Sequence, residues 1–271
     1  MSFEERLAVA LAAGSREHYE DAALYDHEYK RRRDDVRWYQ ALANKELGRR
    51  GRILELGCGS GRTLVPLVRD GYHVVGVDAA QPMLDRCRAR LERLGGDAAE
   101  RGELVRADFR ALALGRRFPL VICPFNAFMH LYTRDDVEQF LDGVRRHLRK
   151  GGRFVLDVMN PDLRWLSRDH EKRWARTRFR HPTTGERMVY TTNLVWDGPL
   201  QIAFMRIYYA PENGRRKEEV VQLTHRYFFP QELEALLHYN GFAIESVEGD
   251  FDGEPLSGYS EQQVLKCRLL R

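Results

Sequence analysis

The sequence predicts an α/β protein in which helices cover both faces of a parallel sheet and an antiparallel block interrupts the pattern. Short apolar runs alternate with amphipathic helical segments between residues 52 and 158, as expected for a doubly wound sheet. After Pro161 the runs become β-branched and aromatic and are separated by turn residues. Asn213-Gly214 lies between two such runs and favours a hairpin. We therefore expect an antiparallel block inserted into an α/β core.

The individual elements are predicted from apolar periodicity and from the turn residues that bound each segment. The predicted helices are 4–14, 34–47, 62–69, 81–94, 135–148 and 230–239, and the predicted strands are 52–56, 73–77, 103–107, 119–123, 153–158, 188–196, 201–209, 220–228, 242–247 and 263–269. These elements predict an N-terminal helical lid at 1–47, a seven-stranded core made of 48–160 and 228–271, and an antiparallel insertion at 161–227.

The composition is that of an ordinary soluble globular protein, with 43% hydrophobic and 31% charged residues. No apolar run approaches the ~20 residues that a membrane helix needs, and the N-terminal residues lack a signal-peptide pattern. The cysteines are scattered, without the spacing of a metal site, and are expected to be buried thiols in a reducing compartment. They are Cys58, Cys87, Cys123 and Cys267. We expect a cytoplasmic enzyme with no metal and no membrane contact.

The excess positive charge is concentrated in one segment of the predicted insertion. The segment between Pro161 and Tyr190 contains eight lysines and arginines but only four acids. This excess equals the net charge of +4 of the whole chain. The segment 164–187 is either a solvated face of the insertion or an electrostatic surface for an anionic substrate or RNA.

The stretch from Glu55 to Gly61 has glycine at every second position after Glu55 and Leu56, directly behind the apolar residues Ile53 and Leu54. This order predicts a strand, a tight turn and a helix. Glycines allow positive φ in the turn and let a ligand approach the backbone. The N–H groups and the positive dipole end of the helix face that ligand. The segment therefore predicts a small-molecule cofactor site.

Two kinds of cofactor use such a turn, namely dinucleotides and S-adenosylmethionine. The dinucleotide pattern needs Gly or Ala at its sixth position so that helix and strand pack closely, whereas this chain has Arg62 there. Glu55 is an acid where a dinucleotide site would favour an apolar residue, and an acid suits a ligand with a positive amino group. These residues favour S-adenosylmethionine.

Asp78 and Asp108 follow the second and third predicted strands, and Pro124-Phe125-Asn126 follows the fourth. Together with the glycine turn, this order resembles the class I S-adenosylmethionine-dependent methyltransferases, which have a Rossmann-like seven-stranded sheet. The resemblance implies that the turn holds the methionine part of the cofactor, that Asp78 binds the ribose hydroxyls, and that Asp108 and its neighbours contact the adenine. The cofactor-binding residues implied in this way are Glu55, Gly57, Cys58, Gly59, Gly61, Asp78, Ala79, Met83, Ala107, Asp108, Phe109, Pro124 and Phe125.

Tyr25 lies in an aromatic segment that resembles a tyrosine-rich lid found before the first motif in many small-molecule members of this family. The resemblance implies that its hydroxyl closes over the cofactor, which also makes it a weaker catalytic candidate. The alternative is that the rings of this segment attach the N-terminal helix to the core.

Methyl transfer from a sulfonium is an in-line displacement that needs an unprotonated nucleophile held close to the methyl group. If a base assists, His130 is the first candidate because it follows the fourth strand and imidazole is available near pH 7. The alternative is a structural histidine that caps the next segment. His225 and Tyr227, at the end of the insertion, are weaker candidates.

The acceptor is constrained mainly by which motifs are missing. Cys123-Pro124-Phe125-Asn126 differs from the Asn/Asp-Pro-Pro-aromatic motif of exocyclic-amine nucleic-acid methyltransferases and offers no acid for a metal-dependent catechol site. An antiparallel insertion after the fifth strand resembles sugar-amine and glycine N-methyltransferases, where it roofs the substrate pocket and can mediate dimers. The sequence thus favours a small-molecule N or O acceptor and allows a homodimer. An RNA (tRNA) or protein methyltransferase that uses 164–187 is the alternative.

Overall fold

A computed structural model describes residues 2–214 and 217–270 of the chain. The helices are α1 (Phe3–Gly14), α2 (Ala22–Tyr29), α3 (Asp34–Leu47), α4 (Leu64–Arg69), α5 (Gln81–Glu92), α6 (Gly96–Glu100), α7 (Arg134–His147), α8 (Leu163–Leu166) and α9 (Pro230–Tyr239). The strands are β1 (Arg52–Leu56), β2 (His73–Asp78), β3 (Gly102–Arg106), β4 (Phe118–Cys123), β5 (Leu148–Met159), β6 (Trp174–Arg180), β7 (Arg187–Asp197), β8 (Ile202–Pro211), β9 (Glu219–Arg226), β10 (Phe242–Gly249), β11 (Glu254–Pro255) and β12 (Gln262–Leu269).

The chain divides into two compact units, each made of two separate stretches of sequence. One unit, which we call the α/β unit, comprises Arg32–Asn160 and Phe228–Arg271, and the other, the β unit, comprises Met1–Arg31 and Pro161–Tyr227. Within the described residues, no helix is long and apolar enough to cross a membrane.

The α/β unit contains a mixed sheet in the order β11-β10-β12-β5-β4-β1-β2-β3. Strands β1 to β5 are parallel, while β12 and β10 run antiparallel to their neighbours. Because the first five strands are parallel, the residues that follow them meet at one edge of the sheet. This carboxyl edge carries the glycine turn after β1, Asp78 at the end of β2 and the loop after β4.

Both faces of this sheet are covered by helices. On one face Ile53 and Val74 pack with Tyr39 of α3, Leu67 of α4 and Leu84 of α5 in a continuous buried cluster. On the other face the Phe154 ring contacts Phe140 of α7 at 6.0 Å between centroids. The doubly wound α/β fold predicted from the alternating pattern is confirmed.

The β unit is a four-stranded antiparallel sheet in the order β6-β7-β8-β9, joined by the N-terminal helices. Its core contains Leu24 of α2 together with Met188, Ile207, Tyr209 and Leu223 of the strands. The turn predicted at Asn213-Gly214 joins β8 to β9, and Gly214 has φ of 65°.

Five elements differ from the sequence-based expectations, and two of them are the short helices α6 and α8, which were not predicted. Helix α2 was not predicted, although Asp21 caps it by accepting hydrogen bonds from the N–H groups of Ala23 and Leu24. Strand β6 was not predicted because it is an edge strand rich in arginine, with mostly exposed side chains. The two-residue β11 adds an eighth strand to the expected seven.

The predicted N-terminal segment 1–47 is divided between the two units. Residues up to Arg31 group with the β unit, whereas α3 groups with the α/β unit. Helix α3 does so because Tyr39, Leu42 and Ala43 are buried in the core cluster of that unit. The lid function predicted for 1–47 remains a prediction.

Candidate active site

The turn after β1 is held by backbone hydrogen bonds from its own N–H groups. Gly57 and Cys58 both donate to the Val77 carbonyl, at 2.8 and 3.1 Å, and Gly61 donates to the Cys58 carbonyl at 2.9 Å. The three glycines at 57, 59 and 61 have φ of 73°, 51° and 79°. These left-handed conformations explain why the turn is built from glycine.

Two of these glycines also have neighbours that leave no room for a side chain. A Cβ on Gly57 would lie 2.5 Å from the Cβ of Ala127, and a Cβ on Gly61 would lie 2.4 Å from the Cys87 Sγ. A Cβ on Gly59 would have only the Met83 methyl within reach, at 4.0 Å. The turn is therefore packed closely on two sides and is open around Gly59.

Cys58 and Met83 support this turn from within the core. Both are buried, and the Cys58 sulfur packs so closely that a Cβ on Gly76 would lie 2.8 Å away from it. Burial raises the pKa of the Cys58 thiol well above its usual value. Cys58 therefore contributes packing rather than a reactive thiolate.

Glu55 is buried at the end of β1, with 1% of its surface exposed. Burial raises the pKa of its carboxyl well above the usual value, the nearby charge of Asp78 raises it further, and a hydrogen bond from the Leu64 N–H opposes both. Its Oε2 atom is buried and has no hydrogen-bond partner among the described residues. Because a buried acceptor without a partner is costly, this oxygen is suited to a ligand with an N–H donor.

Asp78 lies at the end of β2, beside the glycine turn. Its Oδ2 accepts a hydrogen bond from the Gly59 N–H at 2.8 Å, and its Oδ1 accepts one from the Ala80 N–H at 2.9 Å. Burial raises the pKa of this carboxyl, and the backbone hydrogen bonds, including one from Ala79, oppose the increase. A carboxylate has about four lone-pair positions, so these three backbone donors leave Asp78 with capacity for a further donor.

Asp108 is more exposed than Asp78 and is already engaged by an arginine. Both of its oxygens accept hydrogen bonds from the side chain of Arg110, which also reaches Asp136 at 2.9 Å. Burial alone would raise the pKa of Asp108, but the bonds from Arg110 hold it below the usual value. Ala107 donates its N–H to the Asp78 carbonyl at 3.1 Å, and the Phe109 ring lies 3.9 Å from where a Gly57 Cβ would be.

The loop after β4 contains two successive residues in the left-handed conformation, Phe125 with φ of 57° and Asn126 with φ of 64°. Such conformations cost about 1–3 kcal/mol each for residues other than glycine. The cost is offset by Asp157 of β5, whose oxygens accept hydrogen bonds from the N–H groups of Phe125 at 2.9 Å and Asn126 at 3.2 Å. Pro124 precedes this pair and is buried.

Arg62, which argued against a dinucleotide site, lies between the glycine turn and this loop. Its guanidinium carbon lies 4.0 Å from the centre of the Phe125 ring. The same guanidinium forms an ion pair with Asp35 of α3, and the two side chains are only 13% and 5% exposed. The side chain is therefore fixed by a cation–π contact and a largely buried ion pair.

His130 ends the short helical turn Ala127–His130 and is half-buried. Its Nδ1 lies 3.1 Å from the Tyr132 hydroxyl, within hydrogen-bonding distance. This contact is compatible with both earlier interpretations, because a hydrogen-bonded imidazole can be structural or can have its tautomer fixed for proton transfer. The catalytic role of His130 remains a prediction.

Tyr25 and His225 belong to the β unit. The Tyr25 ring packs against Tyr29 at 4.8 Å and His18 at 5.6 Å between ring centroids, within an aromatic cluster. His225 is buried on β9, opposite Ala203 of β8. Tyr227 follows β9 and packs against the Trp196 ring at 5.8 Å, and burial raises the pKa of its hydroxyl.

Several cations of the 164–187 segment are paired with partners inside the β unit. Arg173 forms two hydrogen bonds to Glu218, at 2.7 and 2.8 Å, and its guanidinium lies 3.5 Å from the centre of the Tyr208 ring. Arg178 pairs with Glu212 at 3.0 Å. These pairs neutralise part of the positive charge that the sequence concentrates here.

Three residues near the turn were not predicted, namely Asp35, Tyr39 and Asp157. The Tyr39 hydroxyl donates to the Asp157 Oδ1 at 2.7 Å, and both side chains are about 1% exposed. A sequence signal existed for Asp157, because it is an acid inside the apolar run Phe154–Val158. Buried acids are rare without partners, so this position could have been singled out.

The fold and the site define a class of protein. A parallel sheet with a glycine turn after β1, a buried acid at the end of β1 and a partly buried acid at the end of β2 is a nucleotide-type cofactor domain that lacks the dinucleotide packing residue. A family model described as a methyltransferase domain matches residues 53–152. That range spans the turn and every other residue predicted here to bind the cofactor, except Tyr25.

Relatives of known activity agree with this class. The cypemycin N-terminal methyltransferase of a Streptomyces species is 28% identical over 79% of this chain and 81% of its own length. The dTDP-3-amino-3,4,6-trideoxy-alpha-D-glucopyranose N,N-dimethyltransferase of Streptomyces venezuelae is 26% identical over 75% of this chain and 80% of its own. The protein is an S-adenosylmethionine-dependent methyltransferase with the class I fold.

Solved structures share the fold along almost the whole chain. The CcbJ methyltransferase of Streptomyces caelestis has a TM-score of 0.77 and 22% identity, over 95% of this chain and 99% of its own. CalS10, an amino pentose methyltransferase of Micromonospora echinaspora solved with bound S-adenosylmethionine, has a TM-score of 0.66 and 23% identity, over 90% and 95%. The residues of the turn fit this cofactor, since the unpartnered Glu55 oxygen suits an ammonium donor and the surroundings of Gly59 are open.

We predict that Gly61→Ala weakens S-adenosylmethionine binding at least about tenfold, because the new Cβ would overlap the Cys87 sulfur and distort the turn. Calorimetric titration with the cofactor measures this change. Gly48→Ala is the matched control, since Gly48 also has a positive φ of 67° but has nothing within 4 Å of the added Cβ. It should lose about 1 kcal/mol of stability and keep its affinity. Equal affinities for the two variants would contradict the prediction.

A second prediction concerns the buried pair His18 and Glu28, whose Nε2 and Oε2 atoms lie 3.6 Å apart in the β unit. Burial lowers the pKa of His18 to about 4 and raises the pKa of Glu28 to about 7, while a hydrogen bond from the Tyr209 hydroxyl opposes the latter shift. Between pH 4.5 and 6.5, Glu28 makes stability fall as the pH rises, whereas His18 makes it rise. The two slopes oppose each other.

In Glu28→Gln only the slope from His18 remains, so stability should increase by about 1–3 kcal/mol more than in the wild type between about pH 5 and pH 6.5. Urea midpoints followed by far-UV circular dichroism at the two pH values measure the difference. Glu20→Gln, which removes an exposed acid that pairs with Arg16, is the control and should behave as the wild type. A Glu28→Gln curve parallel to the wild type would show that this pair does not titrate as described.

Proposed function

We propose that the protein transfers the methyl group of S-adenosylmethionine to a small-molecule acceptor, with an amine nitrogen favoured over a hydroxyl oxygen. The observation that carries the cofactor part is the buried Glu55 oxygen without a partner beside an open glycine turn. The acceptor class rests on the relatives, because one is named as an N,N-dimethyltransferase of an amino sugar and the other as a methyltransferase that acts at an N-terminus. The inserted antiparallel sheet supports a small acceptor, by its resemblance to the substrate roof of N-methyltransferases.

In this proposal each part of the cofactor has its own residues. Glu55 accepts from the ammonium group, and the turn 57–61 holds the methionine chain. Asp78 accepts from the ribose hydroxyls through the capacity that its backbone donors Gly59, Ala79 and Ala80 leave free. The apolar side chains of Ala79, Met83 and Phe109 surround the adenine, with Asp108 at its edge. Tyr25 remains a candidate for closing over the bound cofactor.

The bound sulfonium supplies an activated methyl group, so the protein's task is alignment and control of protonation. Holding the two reactants in line is worth up to about 7–11 kcal/mol in favourable cases. An amine acceptor reacts only when its nitrogen is unprotonated, and His130 is placed after β4 as a candidate to take the proton. Its contact with Tyr132 would fix the tautomer in that role.

The RNA or protein alternative is not favoured. The basic segment 164–187 supplied the only sequence argument for it, and Arg173 and Arg178 in that segment are paired with glutamates. If the acceptor is a small molecule, we expect no tight, salt-sensitive binding of tRNA.

Two further proposals concern the cellular compartment and the contact between two copies of the chain. We propose a reducing, cytoplasmic compartment, because the four cysteines are free and buried. We also propose that the inserted sheet carries any contact between two copies of the chain, with edge strand β6 available for pairing.

We predict that Asp78→Asn weakens S-adenosylmethionine binding about tenfold to a hundredfold, because hydrogen bonds to a charged acceptor are worth about 1.5–3 kcal/mol. Calorimetry measures the dissociation constant. Asp85→Asn is the control, since Asp85 is an exposed acid on α5 that pairs with Arg88. Wild-type affinity in Asp78→Asn would show that Asp78 does not bind the ribose.

Acceptor identity is tested by release of S-adenosylhomocysteine from S-adenosylmethionine with a panel of primary amines, amino sugars, phenols and peptides with free N-termini. We expect turnover with one or more amines, rising with pH as the acceptor nitrogen loses its proton. A filter-binding assay with tRNA runs in parallel. Turnover confined to phenols would overturn the nitrogen preference, and tight, salt-sensitive tRNA binding would overturn the small-molecule proposal.

A further inference from the structure

Helix α3 contacts two different walls of the cofactor site within the α/β unit. One wall is the glycine turn with Arg62 behind it, and the other is the loop Pro124–Ala127 after β4. Asp35, near the start of α3, pairs with Arg62. Tyr39, one turn later on the same helix, donates its hydroxyl to Asp157 at 2.7 Å. The i, i+4 spacing places both side chains on one face of α3.

The Asp157 carboxylate is the anchor of the second wall. It receives three hydrogen bonds, from the Tyr39 hydroxyl and from the N–H groups of Phe125 and Asn126. Successive N–H groups that converge in this way form a concave anion site, and here the anion is supplied by the protein. Without the carboxylate, two left-handed residues would lose the partner of their N–H groups.

The two walls also touch each other at two points. The Arg62 guanidinium lies over the Phe125 ring at 4.0 Å, and Ala127 lies so close to Gly57 that no Cβ fits between them. The loop therefore contacts the glycine turn at both of its ends. Helix α3 holds the two walls from the same side, through Asp35 on Arg62 and Tyr39 on Asp157.

We propose that Asp35, Tyr39 and Asp157 are positioning residues that fix the spacing between the glycine turn and the loop after β4, and thereby the alignment of the methyl donor. This inference rests on the methyltransferase function but not on the identity of the acceptor. None of the three residues needs to touch the cofactor, because each acts through Arg62 or through the backbone of Phe125 and Asn126. Burial raises the pKa of Asp157, and the three hydrogen bonds, together with the charge of Arg62, oppose that effect.

The test uses three shape-conserving variants of the full chain, Asp35→Asn, Tyr39→Phe and Asp157→Asn. The matched controls are Tyr72→Phe and Asp34→Asn. Tyr72 is buried in the same core cluster and its hydroxyl bonds to the Gly48 carbonyl at 2.6 Å, away from both walls. Asp34 precedes Asp35 on α3 but pairs with Arg37 at the exposed surface.

Two measurements do not depend on turnover. Amide hydrogen exchange of the peptide that contains residues 124–127 should be at least about tenfold faster in Tyr39→Phe and Asp157→Asn than in the wild type. The dissociation constant for S-adenosylmethionine should rise about tenfold in all three variants, while Tyr72→Phe retains the wild-type value even if its melting temperature falls equally. A purely structural role would lower stability in both groups and leave affinity unchanged.

Unchanged exchange and unchanged affinity in folded Tyr39→Phe and Asp35→Asn would overturn the inference, whether or not Asp157→Asn folds. When an acceptor is known, kcat should fall by a larger factor than the affinity for the donor, because alignment matters most in the transition state. If the wild type turns over no acceptor of the panel, the proposed acceptor class fails, while the exchange and affinity results still test the positioning residues.

Discussion

The site depends on carboxylates that satisfy backbone N–H groups where the parallel strands end. At that edge the chain leaves the sheet and its N–H groups lose their ladder partners, which is costly when they are buried. The turn after β1 is tied by Asp78 on the neighbouring strand β2. The loop after β4 is tied by Asp157 on the neighbouring strand β5. In both cases an acid on the next strand holds a turn that contains left-handed residues.

Asp78 and Asp157 differ in how accessible they are to a ligand. Asp78 accepts a hydrogen bond from Gly59 on one oxygen and from Ala80 on the other, and its proposed ligand is the ribose of the cofactor. Asp157 accepts from the Phe125 and Asn126 N–H groups and, in addition, from the Tyr39 hydroxyl, so its known partners all belong to the protein. Asp78 is partly exposed and therefore accessible to a ligand, whereas Asp157 is buried and holds the loop after β4.

The parts of the fold and site that sequence could predict are those with a local signal. The spacing of Gly57, Gly59 and Gly61 and the order of strands were sufficient for the α/β fold, the turn and the cofactor class. Tyr39 and Asp157 are 118 residues apart, so no local pattern connects them. The arginines of β6 interrupt the alternation of apolar and polar residues that would predict a strand. Helix α2 has too many polar residues to show a clear helical pattern, although its capping residue Asp21 is typical of a helix start. Arg62 was noticed only as a mismatch, because its partner Asp35 is 27 residues away.

The division of the β unit into two distant stretches of sequence has a consequence for the order of folding. The Glu17 side chain accepts a hydrogen bond from the Gln222 N–H, across 205 residues of chain. The N-terminal helices and strand β9 cannot meet until the ribosome has released the residues that separate them, so these helices lack their core during most of that synthesis. Contacts of such long range slow folding, so the packing of the N-terminal helices on strand β9 is expected to be a late step.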